Sequence, residues 1–152
     1  MSASVNDMAD AAVAAIQAAW SPTAPDSVER DYLFRSDLDT MTGRQVRVYP
    51  LSYTDAPADR GSLDGGESVC EFGIGVTVAE RYAGEEAKPP RSWIDDLVEF
   101  AEAKVYNVLS NRLPGVSGSV TLRADVSVYD VGILGQNQAF WSEFEFVFRV
   151  LM

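Results

Sequence analysis

Two stretches of the chain repeat apolar side chains at the spacing of an amphipathic helix. The first is Ser4–Trp20, which opens with a capping-box pattern, a serine followed three residues later by an aspartate. The second is Trp93–Leu113, where Ser92 and Asp95 offer the same pattern. Its apolar stripe consists of Ile94, Leu97, Val98, Ala101, Val105, Val108 and Leu109. This stripe predicts a central helix of about five turns, long enough to cover a sheet.

Strand-like alternation of apolar and other side chains is clearest over Val69–Tyr82. Cys70 belongs to the apolar set of this strand, so we predict that it points into the core. On the opposite face Gly73, Gly75 and Ala79 are small. Small residues in a strand predict that a helix or another chain approaches the backbone closely there.

Shorter alternations mark the other strands. Arg44–Leu51 has the pattern of a strand that ends at Pro50, and a short strand is expected around Tyr32–Arg35. The last two strands are Val120–Tyr129 and Glu143–Val150, and in each of them the apolar residues at alternate positions should share one face. These two strands are expected to pair antiparallel.

Two connecting segments are unusual. Ser52–Ser68 is rich in Asp, Gly, Pro and Ser and is too long for a tight turn, so we predict an extended exposed loop that becomes ordered only in an assembly. The connector Asp130–Ala139 is also predicted to be a loop, yet it carries Val131, Ile133 and Leu134. Exposed apolar side chains in such a connector indicate that another surface covers them.

Trp141 lies beside this connector, on the face opposite to the alternating phenylalanines of the last strand. An intersubunit role and simple partial burial both agree with that position. Together with residues of the long loop, it completes the candidate interface that we select from the sequence. The candidate residues are Val131, Ile133, Leu134, Trp141, Tyr53, Asp55, Asp59 and Arg60.

The order of these elements is α-β-β-α-β-β, without an internal repeat or a low-complexity tract. This order predicts an α+β fold, a mostly antiparallel sheet of about four strands with two helices packed on one face. A length of 152 residues and a hydrophobic content of 47% suit one domain, 1–152, that buries most of its apolar side chains.

Acidic residues outnumber basic ones by 23 to 12, which gives a formal net charge of −11. A field of this sign disfavours direct binding to DNA or to an anionic membrane. The charge has two interpretations: it only maintains solubility, or it forms a surface past which DNA moves without sticking. No apolar run approaches membrane-spanning length, and Met1–Trp20 lacks the basic region of a signal peptide, so we expect assembly in the cytoplasm.

The sequence contains no histidine and a single cysteine, which removes most nucleophilic, general-base and zinc chemistry. Four acidic residues on the long helix are best explained as its solvated face: Asp95, Asp96, Glu99 and Glu102. Four in the long loop lack EF-hand spacing and are best explained by turn chemistry: Asp55, Asp59, Asp64 and Glu67. We therefore expect no catalytic residue, no cofactor and no bound metal.

Three segments carry a resemblance to a known family: GRQVRVYPL at Gly43–Leu51, WIDDLVEFAEAKVYNVLSNRL at Trp93–Leu113, and the ending SEFEFVFRVLM. With the element order and the long loop, they resemble the tail terminator proteins of long-tailed bacteriophages. The match is one of pattern and length over Arg44–Met152. The resemblance implies a sheet backed by helices and a homohexameric ring in the virion. Such a ring caps the tail tube, ends its polymerisation and joins the tail to the connector of the head, with DNA passing through as cargo.

Other functions remain open at this point. Within the same class, the chain could be a different neck or tail-completion protein. From other classes, it could be a small enzyme or ligand-binding α+β domain, or a cytosolic adaptor that forms a dimer through an edge strand. Light scattering on the purified chain would separate a monomer or dimer from a hexamer.

Overall fold

The computed structural model describes residues 4–33, 41–55 and 69–151. Helices and strands are mixed along the chain in an α+β arrangement, as predicted. In chain order they are α1 (Val5–Ala19), β1 (Ser27–Arg30), β2 (Gln45–Asp55), β3 (Val69–Arg81), α2 (Arg91–Ala101), a π-helical turn (Glu102–Tyr106), α3 (Asn107–Leu109), β4 (Ser119–Ser127), α4 (Val131–Asn137) and β5 (Ala139–Leu151).

The strands form a five-stranded sheet in the order β1-β2-β3-β5-β4. Neighbouring strands pair antiparallel except β1 and β2, which are parallel. The mostly antiparallel sheet and the antiparallel pairing of the last two strands are therefore confirmed. The sheet has one strand more than the roughly four expected from the element order, because the short β1 adds an edge beside β2.

α1 begins with the predicted capping box. The amide of Asp7 donates to Oγ of Ser4 at 3.1 Å, and the amide of Ser4 donates to the carboxylate of Asp7 at 3.0 Å. The hydrogen bond from the Ser4 amide, and after it the side chain of Ser4, lower the pKa of the Asp7 carboxyl. The buried residues of α1 are Met8, Ala9, Ala12, Ala15 and Ile16. Because most of them are alanines, the helix can lie close to the sheet.

The capping box predicted for the second helix is wrong. α2 begins at Arg91, after Pro90, and has no hydrogen bond from a capping side chain. Ser92 lies inside the first turn, and Asp95 lies one turn after Arg91, with which it forms an exposed ion pair at 3.7 Å. The helix then runs through the π-helical turn to Leu109, which agrees with the predicted length of about five turns.

The π-helical turn keeps the core side of this long helix in line. Four of its fully or almost fully buried residues lie four positions apart: Leu97, Ala101, Val105 and Leu109. In a regular α-helix, side chains at this spacing drift around the axis by about 40° at each step. One wider turn takes up part of the drift, so all four side chains stay on the sheet.

α1 and α2 pack on the same face of the sheet, as predicted, and their buried side chains join one hydrophobic core. β3 and β5 supply the largest buried side chains, among them Phe72, Phe146 and Phe148. Cys70 points into this core, as predicted, and is 3% exposed. The opposite side of the sheet, to which Glu143 belongs, is called the outer face below.

Glu80, near the end of β3, fixes the start of α2 to the sheet. Its carboxylate accepts hydrogen bonds from Nε of Arg44 at 2.9 Å and from Nε1 of Trp93 at 3.0 Å. The guanidinium of Arg44 also pairs with Asp96 at 3.1 Å and lies over the ring of Phe100. The angle at which α2 crosses the sheet is therefore held by a polar cluster as well as by apolar packing.

The first strand lies upstream of the predicted one. A strand was expected around Tyr32–Arg35, but β1 occupies Ser27–Arg30. The first two residues of the predicted segment form a bend and are more than half exposed, and the last two lie outside the described residues. Val28 decides the placement, because it is buried in the core directly opposite Val46.

The predicted end of β2 at Pro50 is wrong, because the strand continues for five more residues. β1 pairs with β2 only as far as Val48, so one side of β2 needs no hydrogen-bonded partner at the proline. A register shift between Pro50 and Ser52 marks a β-bulge at Leu51. The beginning of the predicted loop Ser52–Ser68 is therefore strand up to residue 55, and the rest of the segment lies outside the described residues.

This bulge explains the small residues on the outer face of β3. The side chains of Leu51 and Ser52 lie over β3, and a Cβ added at Gly75 or Gly73 would meet them. The close approach predicted for this face is real, but the neighbouring strand makes it rather than a helix.

Candidate interaction surface

Exposed large apolar side chains are concentrated on β4 and the residues that follow it. In the sheet formed by the described residues, β4 lies at the edge, with β5 as its neighbour. We call this group the apolar edge surface. It consists of Val120 (51% exposed), Leu122 (42%), Val126 (41%), Val128 (45%), Tyr129 (44%) and Val131 (70%). Exposed apolar side chains concentrated along one edge of a sheet are typical of a contact site.

A β-bulge divides β4 into two halves that present different faces. Thr121 pairs with Phe148, but the next paired residue is Arg123, opposite Val147, so Leu122 is the extra residue. The prediction that alternate apolar residues of β4 share one face is therefore wrong. Those before the bulge belong to the outer face, and those after it belong to the face that carries the helices.

The first half of β4 is tied to the end of the long helix. Oγ1 of Thr121 donates to the carbonyl of Leu109 at 2.6 Å, and the amide of Thr121 donates to the carbonyl of Asn111 at 3.0 Å. Oγ of Ser119 donates to the carbonyl of Leu113 at 2.9 Å. These bonds close the space between helix and strand at this end.

Beyond the bulge, the strand and the helix separate and leave an open groove. We call it the α2–β4 groove, and its volume is about 300 Å³. It is lined by Val98, Ala101, Glu102, Tyr106, Ala124, Val126, Val128, Ser142 and Phe144. Val98, Glu102 and Tyr106 are again four residues apart, so the π-helical turn also keeps them aligned along one wall.

The helix wall of the groove is acidic, whereas its strand wall is uncharged. Among the described residues that line the groove, the one charged side chain is Glu102. Asp95 and Glu99 are exposed, and they share a side of the helix with Val98 and Glu102 because they lie three or four residues away. The opposite wall, on β4, is formed by uncharged side chains. An apolar floor with acidic groups along one rim is the result.

The connector between β4 and β5 is a helix and not the predicted loop. Oδ1 of Asp130 accepts a hydrogen bond from the amide of Ile133 at 2.9 Å and caps α4. No residue of α4 is buried; Val131 is 70% exposed, whereas Ile133 and Leu134 are partly buried. A side-chain cap at the start of a segment without Pro is a helix signal that sequence reasoning could have used.

Trp141 lies next to α4, so the structure brings this part of the candidate interface together. Its carbonyl accepts a hydrogen bond from the amide of Asp130 at 2.9 Å, and its Nε1 donates to Glu143 at 2.7 Å. The indole is partly buried. Its second predicted role, in contacts between subunits, stays a prediction.

The remaining candidate residues lie at the other end of the sheet or outside the described residues. Tyr53 is 54% exposed and packs on Phe72 with 5.3 Å between the ring centroids. On β3 the partner of Tyr53 is Phe72 and that of Trp141 is Ala79, so roughly 23 Å of strand separates the two groups. Asp55 is the last residue of β2. Asp59 and Arg60 lie outside the described residues.

The outer face carries a shallow depression of about 450 Å³ that sequence reasoning missed. Asp125 and Glu145 are direct cross-strand partners on it, and like charges in that arrangement are unfavourable. Arg123 pairs with Asp125 at 3.0 Å and offsets part of this repulsion. The hydroxyl of Tyr49 is buried there, and burial raises its pKa to about 12, while the side chain of Thr77 acts in the opposite direction.

In residues 4–33, 41–55 and 69–151, no three His, Cys, Asp or Glu side chains are grouped closely enough to hold a metal ion. No helix in this part of the chain has the length and apolar character needed to cross a membrane.

The sequence matches no protein-family model, and no curated protein is significantly similar to it. We therefore infer function from the surfaces described above and from the pattern of the sequence.

Proposed function

We propose that this chain is a non-enzymatic structural subunit, the tail terminator of a long-tailed bacteriophage. Copies of it form a hexameric ring that caps the tail tube, ends tube polymerisation and joins the tail to the head connector. DNA passes through the ring as cargo. The partners are other copies of the chain, the tail tube protein and the connector protein, and the ring is assembled in the host cytoplasm and remains in the virion. No cofactor is needed.

The observation that carries this proposal is the apolar edge surface. Six large apolar side chains, each between 41% and 70% exposed, follow one edge of the sheet and continue onto α4. Covering a half-exposed valine or leucine contributes roughly 1 kcal/mol, so this surface supplies a favourable contact to an assembly. In a closed ring, one patch of each subunit contacts a different patch of the next subunit. The apolar edge surface supplies one of these two patches.

Two further features support the ring hypothesis. The three segments that carry the family resemblance lie in the long helix, β2 and β5, which all contribute side chains to the core. The net charge of −11 suits a passage for DNA, because an acidic surface does not retain a polyanion.

The proposal is tested with Val131→Asp. Val131 is the most exposed residue of the apolar edge surface, so its replacement leaves the core intact. Ile133 and Leu134 are partly buried, so their replacement could reduce assembly by destabilising the fold, and they are less suitable for this test. We expect the variant to fold but to need a roughly tenfold higher concentration for assembly, since an interface must then bury an unpaired charge. Light scattering and negative-stain images of the chain mixed with tail tube protein give the measurement.

Leu51→Asp is the matched control, because Leu51 is 51% exposed on the outer face of a different strand. It should assemble like the parent chain. Unchanged ring formation and unchanged tube capping by the Val131→Asp chain would contradict the proposal.

A second candidate function is favoured by one observation, the position of β4 as a nine-residue strand at the edge of the sheet. Such an edge can pair with the same strand of a second copy and form a dimeric adaptor. A particle of two chains that does not cap tail tubes would identify this alternative.

A further inference from the structure

We propose that the α2–β4 groove binds a segment of a partner protein in which apolar side chains are flanked by lysine or arginine. The partner is a different protein and not a second copy of this chain. The groove uses Val126 and Val128, the two residues of the apolar edge surface that lie on the helix-bearing face, and leaves the other four residues of that surface for contacts between subunits. The proposal therefore stands whether or not the subunit forms a ring.

The shape of the groove sets the size of what it binds. A volume of about 300 Å³ is at the lower end of the range for ligand pockets, so it accommodates a few side chains of a segment and not a whole domain. Three apolar lining residues are already partly open to solvent, Tyr106 at 36%, Val126 at 41% and Val128 at 45%. An apolar segment laid between helix and strand would cover all three.

The floor of the groove is built to stay in place. Phe144 is 5% exposed and stacks on Phe146 within the core. Ser142 is fully buried, and its hydroxyl donates to the carbonyl of Ser127 at 3.1 Å. Both side chains are therefore satisfied without an occupant, and an incoming segment does not have to open the core.

The charge of the rim selects the sign of the partner. Glu102 lines the groove, and the exposed Asp95 and Glu99 extend the acidic rim along the helix. The basic residue next to this rim is Arg91, whose pairing with Asp95 at 3.7 Å joins two side chains that are 93% and 62% exposed and is weak for that reason. Cationic side chains beside an apolar stripe would complement this rim.

A second copy fits this rim poorly. The chain has a net charge of −11, and the strand wall of the groove offers no basic side chain. Self-association through the groove would bring two acidic helices together, which costs free energy at low salt.

A labelled synthetic peptide of alternating leucine and lysine is the probe, and its binding to the full chain is followed by fluorescence anisotropy. Two further peptides serve for comparison, one with glutamate in place of lysine and one with serine in place of leucine. We expect only the leucine–lysine peptide to bind. Replacing Glu102 with lysine should weaken its binding roughly tenfold at low salt, and high salt should reduce this difference.

Glu145→Lys is the matched control. It changes the net charge by the same amount, but Glu145 lies on the outer face, away from the groove. At about 0.15 M salt, where the Debye length is about 8 Å, this variant should change binding by less than about twofold, because its charge lies on the opposite side of the sheet and is largely screened. Val126→Ser removes apolar contact at an exposed position and should weaken binding several-fold without affecting the fold, which circular dichroism verifies.

Three results would overturn the proposal. The first is equal weakening by Glu102→Lys and Glu145→Lys, which would indicate non-specific attraction to an acidic protein. The second is equal binding of the leucine–glutamate peptide. The third is self-association of the parent chain that Val126→Ser abolishes, because the groove would then belong to a second copy.

Discussion

The cap of α4 gives a sharp test of how the apolar edge surface is held. Asp130 accepts the amide hydrogen bond of Ile133 at 2.9 Å through its side chain, and it also accepts the amide of Leu134 through its carbonyl at 3.0 Å. Asp130→Ala removes the first bond and leaves the second. A lost cap of this kind costs about 1 kcal/mol of helix stability.

That magnitude matters because α4 has little else to stabilise it. It is a seven-residue helix without a buried residue, and isolated helices of this length are marginal in water. A loss of about 1 kcal/mol changes the ratio of helical to open α4 by roughly fivefold. The strands and the core are not touched, so the global free energy of unfolding should change little.

Hydrogen exchange measured by mass spectrometry on peptides that cover Val131–Asn137 gives the assay. Exchange of the α4 amides should be roughly fivefold faster in Asp130→Ala, while the amides of β3 and β5 keep their rates. Asp130→Asn is the matched control, because asparagine caps a helix about as well as aspartate does. If the α4 amides exchange at the same rate in the alanine and asparagine variants, the side-chain cap does not stabilise this helix.

Two other expectations follow from the core and the outer face. Phe146→Ala should lower the free energy of unfolding, measured in urea, by about 3–5 kcal/mol, because the ring is fully buried between Phe144 and Phe148. Phe146→Leu should lower it clearly less. Equal losses for the two variants would mean that the surrounding core collapses around either residue. Tyr49→Phe should remove an alkaline loss of stability: the folded pKa of about 12 exceeds the ordinary value of 10.0, so the contribution of the neutral hydroxyl is full below pH 10.0 and is lost as pH rises through about 12. Thermal unfolding of both chains between these pH values checks this, and identical pH profiles would refute it.

The elements that the sequence predicts well are those with long, uninterrupted periodicity. β3 alternates over its whole length, and the stripe of the long helix continues from Ile94 to Leu109. Burial enforces these patterns, because each residue in them either meets the core or does not. The direction of the Cys70 side chain follows from the same periodicity.

The features that the sequence hides are those that break a period by one residue. The bulges at Leu51 and Leu122 move the following side chains to the other face, and neither site carries a glycine that would signal it. Pro50 predicts a strand end because a proline has no amide hydrogen to donate. The strand continues past it because β1 pairs with β2 only as far as Val48, so no hydrogen bond to β1 is needed at the proline. The register of β1 against β2 is set by tertiary contacts, which a single sequence does not contain.

The candidate surface was predictable only in part. The apolar residues of Asp130–Ala139 pointed to a contact region, but the α2–β4 groove arises where two elements distant in sequence diverge, and no local pattern encodes that divergence. The alternation of Val126 and Val128 with polar residues predicts only that they share one face of a strand. At the edge of the sheet this position leaves them almost half exposed, since β5 is the one strand beside β4 in the described part of the chain.

The pairing of β3 with β5 has a mechanical consequence. All 13 residues of β3 are paired with residues of β5, from Val69 opposite Leu151 to Arg81 opposite Ala139, which makes a ladder roughly 40 Å long. A pull along these strands loads their hydrogen bonds in shear, so many bonds share the force and none can break alone. This ladder joins the end of the sheet that carries Tyr53 to the end that carries α4. A pulling force applied at one end is therefore transmitted to the other with little extension of the subunit.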